Sequence, residues 1–466
     1  MNSRRNFLRS AFAIGAAAAA VGKTAAAQSE HTHSSEPQSS RGQGMPVAVE
    51  TPDVPQLAWR AENGAKVFHL IAEPVKREVW PGKVLDLWGY NGSVPGPTIQ
   101  VNEGDRVRII VDNHLPEPTS MHWHGFEIPN NMDGMPILSQ PLIQPGERFI
   151  YEFTLKQNGT FFYHSHMAMQ EMMGMIGLFI MHPRQVFRPR VDKDFGFVLQ
   201  EFSVLPNATV PNTTSMEFNW LTMNGKAAPA TTPLIVRIGE RVRLRWVNLG
   251  MDHHPIHVHG HTFVVTGSEA GRQPHAIWAP KNTVLVGVAE AADLEFVADN
   301  PGDWRVHCHL PHHMMNQMSS MTGPLWFGGQ GMAAGRGMEE GMGFVRGGNA
   351  TSGSLGPSLG RGMGVGSELE RATTNLALQH GHGHDAGLWK SAANAGQVPG
   401  YPQDHFMVLD REVEKPETYG LPVNWTGGMM GMMTLLRVLP PDLYDQIQAK
   451  RRSQPEQKVE QHEHKG

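Results

Sequence analysis

A single cysteine, Cys308, stands in 466 residues. One cysteine cannot close an internal disulfide, which leaves a free thiol, a bridge to another chain or a ligand. Charge is also sparse, at 18% of residues with a net charge of -5. No basic stripe or tail is present, so the electrostatic footprint of a nucleic-acid-binding protein is missing. Past the N-terminal region no apolar run approaches the roughly 20 residues that a bilayer requires, and no membrane span is expected.

The N-terminus carries Ser3-Arg4-Arg5-Asn6-Phe7-Leu8, an alanine-rich apolar run and Ala25-Ala26-Ala27. This reads as a twin-arginine export signal over 1–27, and predicts a periplasmic or extracellular protein. Residues 28–53, rich in Ser, Gln, Pro, Gly and His, read as a disordered leader.

From residue 54 onward short β-type runs alternate with Gly, Pro and Asn turns, as in Arg106–Asp112 and Arg148–Thr154. Many short strands at this spacing argue an all-β fold of sandwich type. Two halves echo each other. The run from Ile99 to Ile109 resembles that from Ile235 to Leu244: an extended run, an acid–glycine turn and a basic-Val-basic strand. An internal duplication follows, with one sandwich at 54–190 and a second at 191–327. Residues 328–466 read as a low-complexity and C-terminal extension. It holds a Gly/Met tract, His380-Gly381-His382-Gly383-His384 and a terminal helix expected from Pro441 to Arg452.

What the chain has in excess is methionine and histidine, at 27 and 25 residues. Both are soft or borderline metal ligands. Cys308 lies between His307 and His309, with His313 and Met318 downstream. A thiolate with a further histidine and a methionine suits a blue-copper electron-transfer site, trigonal His2Cys with a weak axial Met. On an extended segment neighbouring side chains point to opposite faces, so His307 and His309 face away from the thiolate and ask for a second metal centre. Three more segments offer histidines at i and i+2, which share a strand face: His122-Trp123-His124, His164-Ser165-His166 and His257-Val258-His259, the last preceded by His254.

These four segments, in this order, and the run Asn91-Gly92-Ser93-Val94-Pro95-Gly96-Pro97-Thr98 resemble the multicopper oxidases, the family of laccases and copper-resistance oxidases. The resemblance covers roughly 54–327 and implies two cupredoxin-like Greek-key sandwiches with four coppers per subunit. By it, His122 and His257 bind a type 2 copper. His124, His164, His166, His259, His307 and His309 bind a type 3 pair. His254, Cys308, His313 and Met318 form a type 1 site, although Gln317 stands where relatives usually carry Gly. Asp133 falls where the family has an acid near the trinuclear cluster, and Met314 where some relatives carry a glutamate. The implied reaction couples one-electron oxidation of a small reducing substrate, a phenol, an aromatic amine or Cu(I), to reduction of O2 to water, and the resemblance to copper-resistance oxidases implies a place in copper tolerance. Only 88 residues separate His166 from His254 by their numbers, which leaves no room for a middle domain. The chain is therefore similar to the two-domain type, which implies a homotrimer. The competing readings are a copper nitrite reductase, with two coppers per subunit, and a copper-storage or chaperone protein without oxidase turnover.

Overall fold

In a computed structural model, residues 46–167, 169–204, 208–216, 218–314 and 408–453 are described. All lie in one compact unit. The first sandwich pairs β1 (Arg60–Glu62), β2 (Ala65–Trp80), β3 (Lys83–Tyr90), β5 (Arg106–Asn113) and β7 (Arg148–Thr154) in one sheet. Its other sheet runs β4 (Gly96–Asn102), β9 (Ile176–His182), β8 (Gly159–Ser165), β6 (Met121–His124). Period-2 patterning drives the choice of strand: in β5 Val107, Ile109 and Val111 are buried while their neighbours are not. These residues pack against Phe68, Trp123, Tyr151 and Phe179 in the core between the sheets.

The second sandwich repeats the plan. One sheet holds β10 (Lys193–Phe202), β11 (Trp220–Met223), β13 (Arg241–Asn248), β15 (Phe263–Ser268), β16 (Gly271–Arg272), β17 (Pro280–Lys281) and β19 (Ala291–Val297). The other runs β12 (Leu234–Arg237), β21 (Met433–Leu439), β20 (Gly302–Cys308), β14 (His254–Val258), β18 (Thr283–Val286). In both halves the histidine-bearing sheet has the same heart: a parallel pair, then two antiparallel ones. Strands β8 and β9 are buried along their whole length. Phe161 and Phe179 face their own core, whereas Phe162, Leu178 and Ile180 pack on Val198, Val247 and Ala291 of the second sandwich.

Two boundaries differ from the sequence reading. The leader does not extend to 53: Val49 is buried, and its N–H and C=O are both held by the Gln100 side chain at 2.9 and 2.8 Å. The second sandwich does not close by 327. Strand β21, from the stretch read as an extension, lies between β12 and β20. It is followed by a helix, α1 (Pro441–Ser453), anchored by buried Ile447 against Ile235 and Leu439. The Gly/Met tract, the His380–His384 run, the export signal and Met318 lie outside the described residues. No described helix is long and apolar enough to cross a membrane.

Candidate metal centre

In the first sandwich β6 and β8 are antiparallel with His122 opposite His164. Register therefore places both H-x-H pairs on one face: the His122 ring lies 5.6 Å from that of His124, 5.2 Å from His164 and 5.3 Å from His166. His122 Nδ1–H donates to the Asp133 carbonyl at 2.7 Å, and the Asp133 carboxylate is 3.6 Å away. His164 Nδ1–H donates to the Ser165 carbonyl at 2.8 Å and faces Glu171 at 2.9 Å. Each ring thus keeps a lone pair on Nε2 for a metal, oriented by its other nitrogen. His124 stacks on Phe162 at 4.2 Å, and its Nδ1 lies 3.4 Å from His164 Nε2. Gly134 allows the turn that brings Asp133 under His122. Its φ is +87°, and a Cβ there would sit 1.8 Å from the Met121 carbonyl oxygen.

The second sandwich repeats the arrangement, with His257 opposite His307 on β14 and β20. His257 Nδ1–H donates to the Asn282 carbonyl at 2.7 Å and His307 Nδ1–H to the Cys308 carbonyl at 2.8 Å. His259 Nε2 and His307 Nε2 approach to 3.0 Å, a separation that calls for a proton or a metal cation between them. His309 completes the group, its ring 5.7 Å from that of His257. Among the described residues no ring contact joins this quartet to the one on the first sandwich. Burial lowers the pKa of His124 and of His307 to about 4, so both are neutral and ligand-competent at pH 7.

On the opposite face of β20 lies Cys308, fully buried. Its Sγ is 3.4 Å from His313 Nδ1 and 3.8 Å from His254 Nδ1, and the two nitrogens are 3.2 Å apart. The outer nitrogens are taken. His254 Nε2–H donates to buried Glu201 at 3.1 Å, and His313 Nε2–H to Asp252 at 3.3 Å. Both Nδ1 atoms are then acceptors, and one thiol proton is all that this buried trio has to share. Burial pushes the Cys308 thiol up to about 12 and His313 down to about 3. A soft cation held by two neutral imidazoles and a thiolate removes that conflict, and His2Cys is the trigonal set that copper takes in blue sites. The donor set fits copper.

Glu201, Asp252 and Glu171 had no signal in the sequence. Asp252 lies two residues before His254, but Glu201 and Glu171 belong to no motif. His253 accepts from the Val288 amide at 3.0 Å, and His261 packs on Phe296 and Trp304. Among the methionines near these motifs and around the start of β21, Met172, Met175, Met429, Met432 and Met433 are core residues, while Met169 is exposed.

Two family models described as multicopper oxidase match residues 74–186 and 203–322. Copper resistance protein A of Escherichia coli is 42% identical over 113 residues, 24% of this chain and 19% of that protein. Multicopper oxidase MmcO of Mycobacterium tuberculosis is 28% identical over 337 residues, 64% of this chain and 61% of that protein. The chain therefore spans less than two thirds of the length of either relative. A blue copper oxidase structure from Nitrosomonas europaea is 29% identical with a TM-score of 0.49, over 54% of this chain and 81% of that one. The matched stretches span His122, His124, His164 and His166 in the first model and His254 through His313 in the second, and this chain belongs to the multicopper oxidase family.

Proposed function

We propose that this protein is an oxidase that takes single electrons from a small reducing donor and delivers four of them, with four protons, to O2, giving two waters. The observation that carries this reading is the division of labour on β20. Cys308 faces His254 and His313 on one side, while His307 and His309 join His257 and His259 on the other. Copper held on both faces supplies the one-electron steps and the O2-reducing centre. Cys308, His313 and His254 hold the entry site, and the Cys308 backbone joins it to His307 and His309 by covalent bonds. Glu201 and Asp252 fix the tautomers of the entry histidines. Asp133 stands at His122, where a proton donor is useful to O2 reduction.

The family resemblance implies four coppers per subunit: one type 1, one type 2 and a type 3 pair, with His124, His164, His166, His259, His307 and His309 as the type 3 ligands. As the resemblance to the two-domain type implies, the trinuclear site is assembled between subunits, one quartet from each, in a ring of three. Export through the twin-arginine route to the periplasm or outside suits a fold loaded with metal before transport. The donor is Cu(I) or a phenolic compound. The relatives called copper resistance protein A support a place in copper tolerance.

Oxygen uptake by the copper-loaded protein tests the reading, with Cu(I) and a phenol compared for wild type and Cys308→Ser. The wild type consumes one O2 per four donor electrons and shows a blue band that the variant loses together with turnover. Copper binding without oxygen uptake in the wild type would rule the oxidase out in favour of storage.

A further inference from the structure

Strand β21 begins beside the copper-site cysteine. In the antiparallel pair β20–β21, Val306 stands opposite Thr434 and His307 opposite Met433. The next position sets Met432 against Cys308: the Cys308 N–H donates to the Met432 carbonyl at 3.0 Å, and the Met432 N–H donates to the His313 carbonyl at 2.9 Å. One residue is thus clasped by the backbones of two ligands of the mononuclear site.

Strand parity decides where its side chain goes. Residues directly opposite share a face, and successive ones alternate. Met433 belongs with His307, and it packs with Ala228, Met429 and Leu435. Met432 belongs with Cys308, and both are fully buried in the core that holds Ile256 and Val306.

The duplication supplies a second, independent witness. In the first sandwich β8 and β9 pair with His164 opposite Ile176, and the Ser165 N–H donates to the Met175 carbonyl at 3.2 Å. Ser165 sits between its two histidines as Cys308 sits between His307 and His309, so Met175 is the counterpart of Met432. The first half returns to its partner strand within about a dozen residues. The second half returns only with β21, far beyond the H-C-H motif.

We propose that Met432 supplies the axial thioether of the mononuclear copper site, in place of Met318, which motif spacing selects. The assignment rests on the oxidase reading above. Cβ atoms of directly opposed residues are about 5 Å apart. The three flexible bonds of methionine let its sulfur approach an ion bound at Cys308 as the weak, long axial contact of such sites. Met432 thereby ties the last described strand to the copper as well as to the sheet.

The axial ligand tunes the potential and spectrum of a blue site, so both can be read apart from turnover. Full-length, copper-loaded wild type, Met432→Leu, Met432→Gln and Met318→Leu are compared by visible spectroscopy, electron paramagnetic resonance and redox titration. Met432→Leu raises the reduction potential, Met432→Gln lowers it and alters the copper hyperfine splitting, and Met318→Leu changes neither. A shift produced by Met318→Leu, or a blue centre indifferent to both Met432 variants, overturns the assignment while leaving the oxidase intact. A wild type with no blue band overturns both. Should neither Met432 variant fold, the potential of Met318→Leu decides alone, an unchanged value supporting Met432.

Discussion

Glu201 accepts a hydrogen bond from His254 at 3.1 Å, with both side chains shut off from solvent. It also accepts from the backbone amides of Met251 and Asp252. A carboxylate so placed holds the His254 proton on Nε2 and leaves Nδ1 to face Cys308. Partners of this kind are worth about 10- to 100-fold in metal affinity. Glu201→Gln should therefore weaken retention of the blue copper by about that factor, read as loss of the blue band against a competing chelator. Copper held as tightly as in the wild type would show that the Cys308 site does not depend on this contact.

Asp133 offers two different groups to His122. The bond that orients the ring comes from its backbone carbonyl, at 2.7 Å, and the carboxylate lies further off, at 3.6 Å. Asp133→Asn keeps the first and changes the second. The expected result is normal copper content and normal anaerobic reduction of the blue centre, with reoxidation by O2 slowed roughly 100-fold, the lower end of what proton transfer contributes. Stopped-flow recovery of the blue band after mixing with O2 separates the steps. Equal reoxidation rates would leave Asp133 as a turn residue.

How these two acids came to light differs. Asp133 follows the first histidine pair closely, in Asn131-Met132-Asp133-Gly134, and the turn was legible. Glu201 lies 53 positions from His254 on another strand, and nothing in its neighbourhood marks it. The four H-x-H segments were legible because period-2 geometry puts both imidazoles on one face whatever the strand pairs with. Strand β21 was not. Gly427-Gly428-Met429-Met430-Gly431 ahead of it reads as low complexity, and its place in the sheet is set by partners more than a hundred positions away, Gly302–Cys308 and Leu234–Arg237.

Acid should unfold the second sandwich through Glu295. Burial alone would raise its pKa, but Arg243 and Arg272 outweigh that and hold it down to about 2, from an ordinary 4.5. It accepts from Arg243 at 2.7 Å and from Arg241 at 2.9 Å. A carboxylate with a depressed folded pKa stabilises the fold above its unfolded value and loses that contribution as pH falls through its folded value. The loss thus runs from about pH 4.5 down to about pH 2. Glu295→Gln removes one partner of a buried cluster and should cost about 3 kcal/mol at pH 7, with a flatter dependence on pH below 4.5. Urea titrations of the copper-free protein at pH 7 and pH 3 give both. A variant with the wild-type pH dependence would move the acid sensitivity elsewhere.

Whether the two imidazole quartets meet across subunits can be decided by complementation. His164→Ala disables the quartet on the first sandwich and His307→Ala that on the second, so each homotrimer should fail to reduce O2. In a ring of three, each interface joins the first sandwich of one subunit to the second sandwich of the next. A mixed ring of either composition then contains one interface with both halves intact. Random assembly at equal amounts makes three quarters of the rings mixed, each with one working site in three, so co-expression should restore about a quarter of wild-type oxygen uptake. A trinuclear site built within a single chain could not be restored by mixing at all, because every chain would carry a broken half. Uptake staying at the level of the separate variants, in assemblies shown by affinity tags to contain both, would therefore place the cluster inside one subunit.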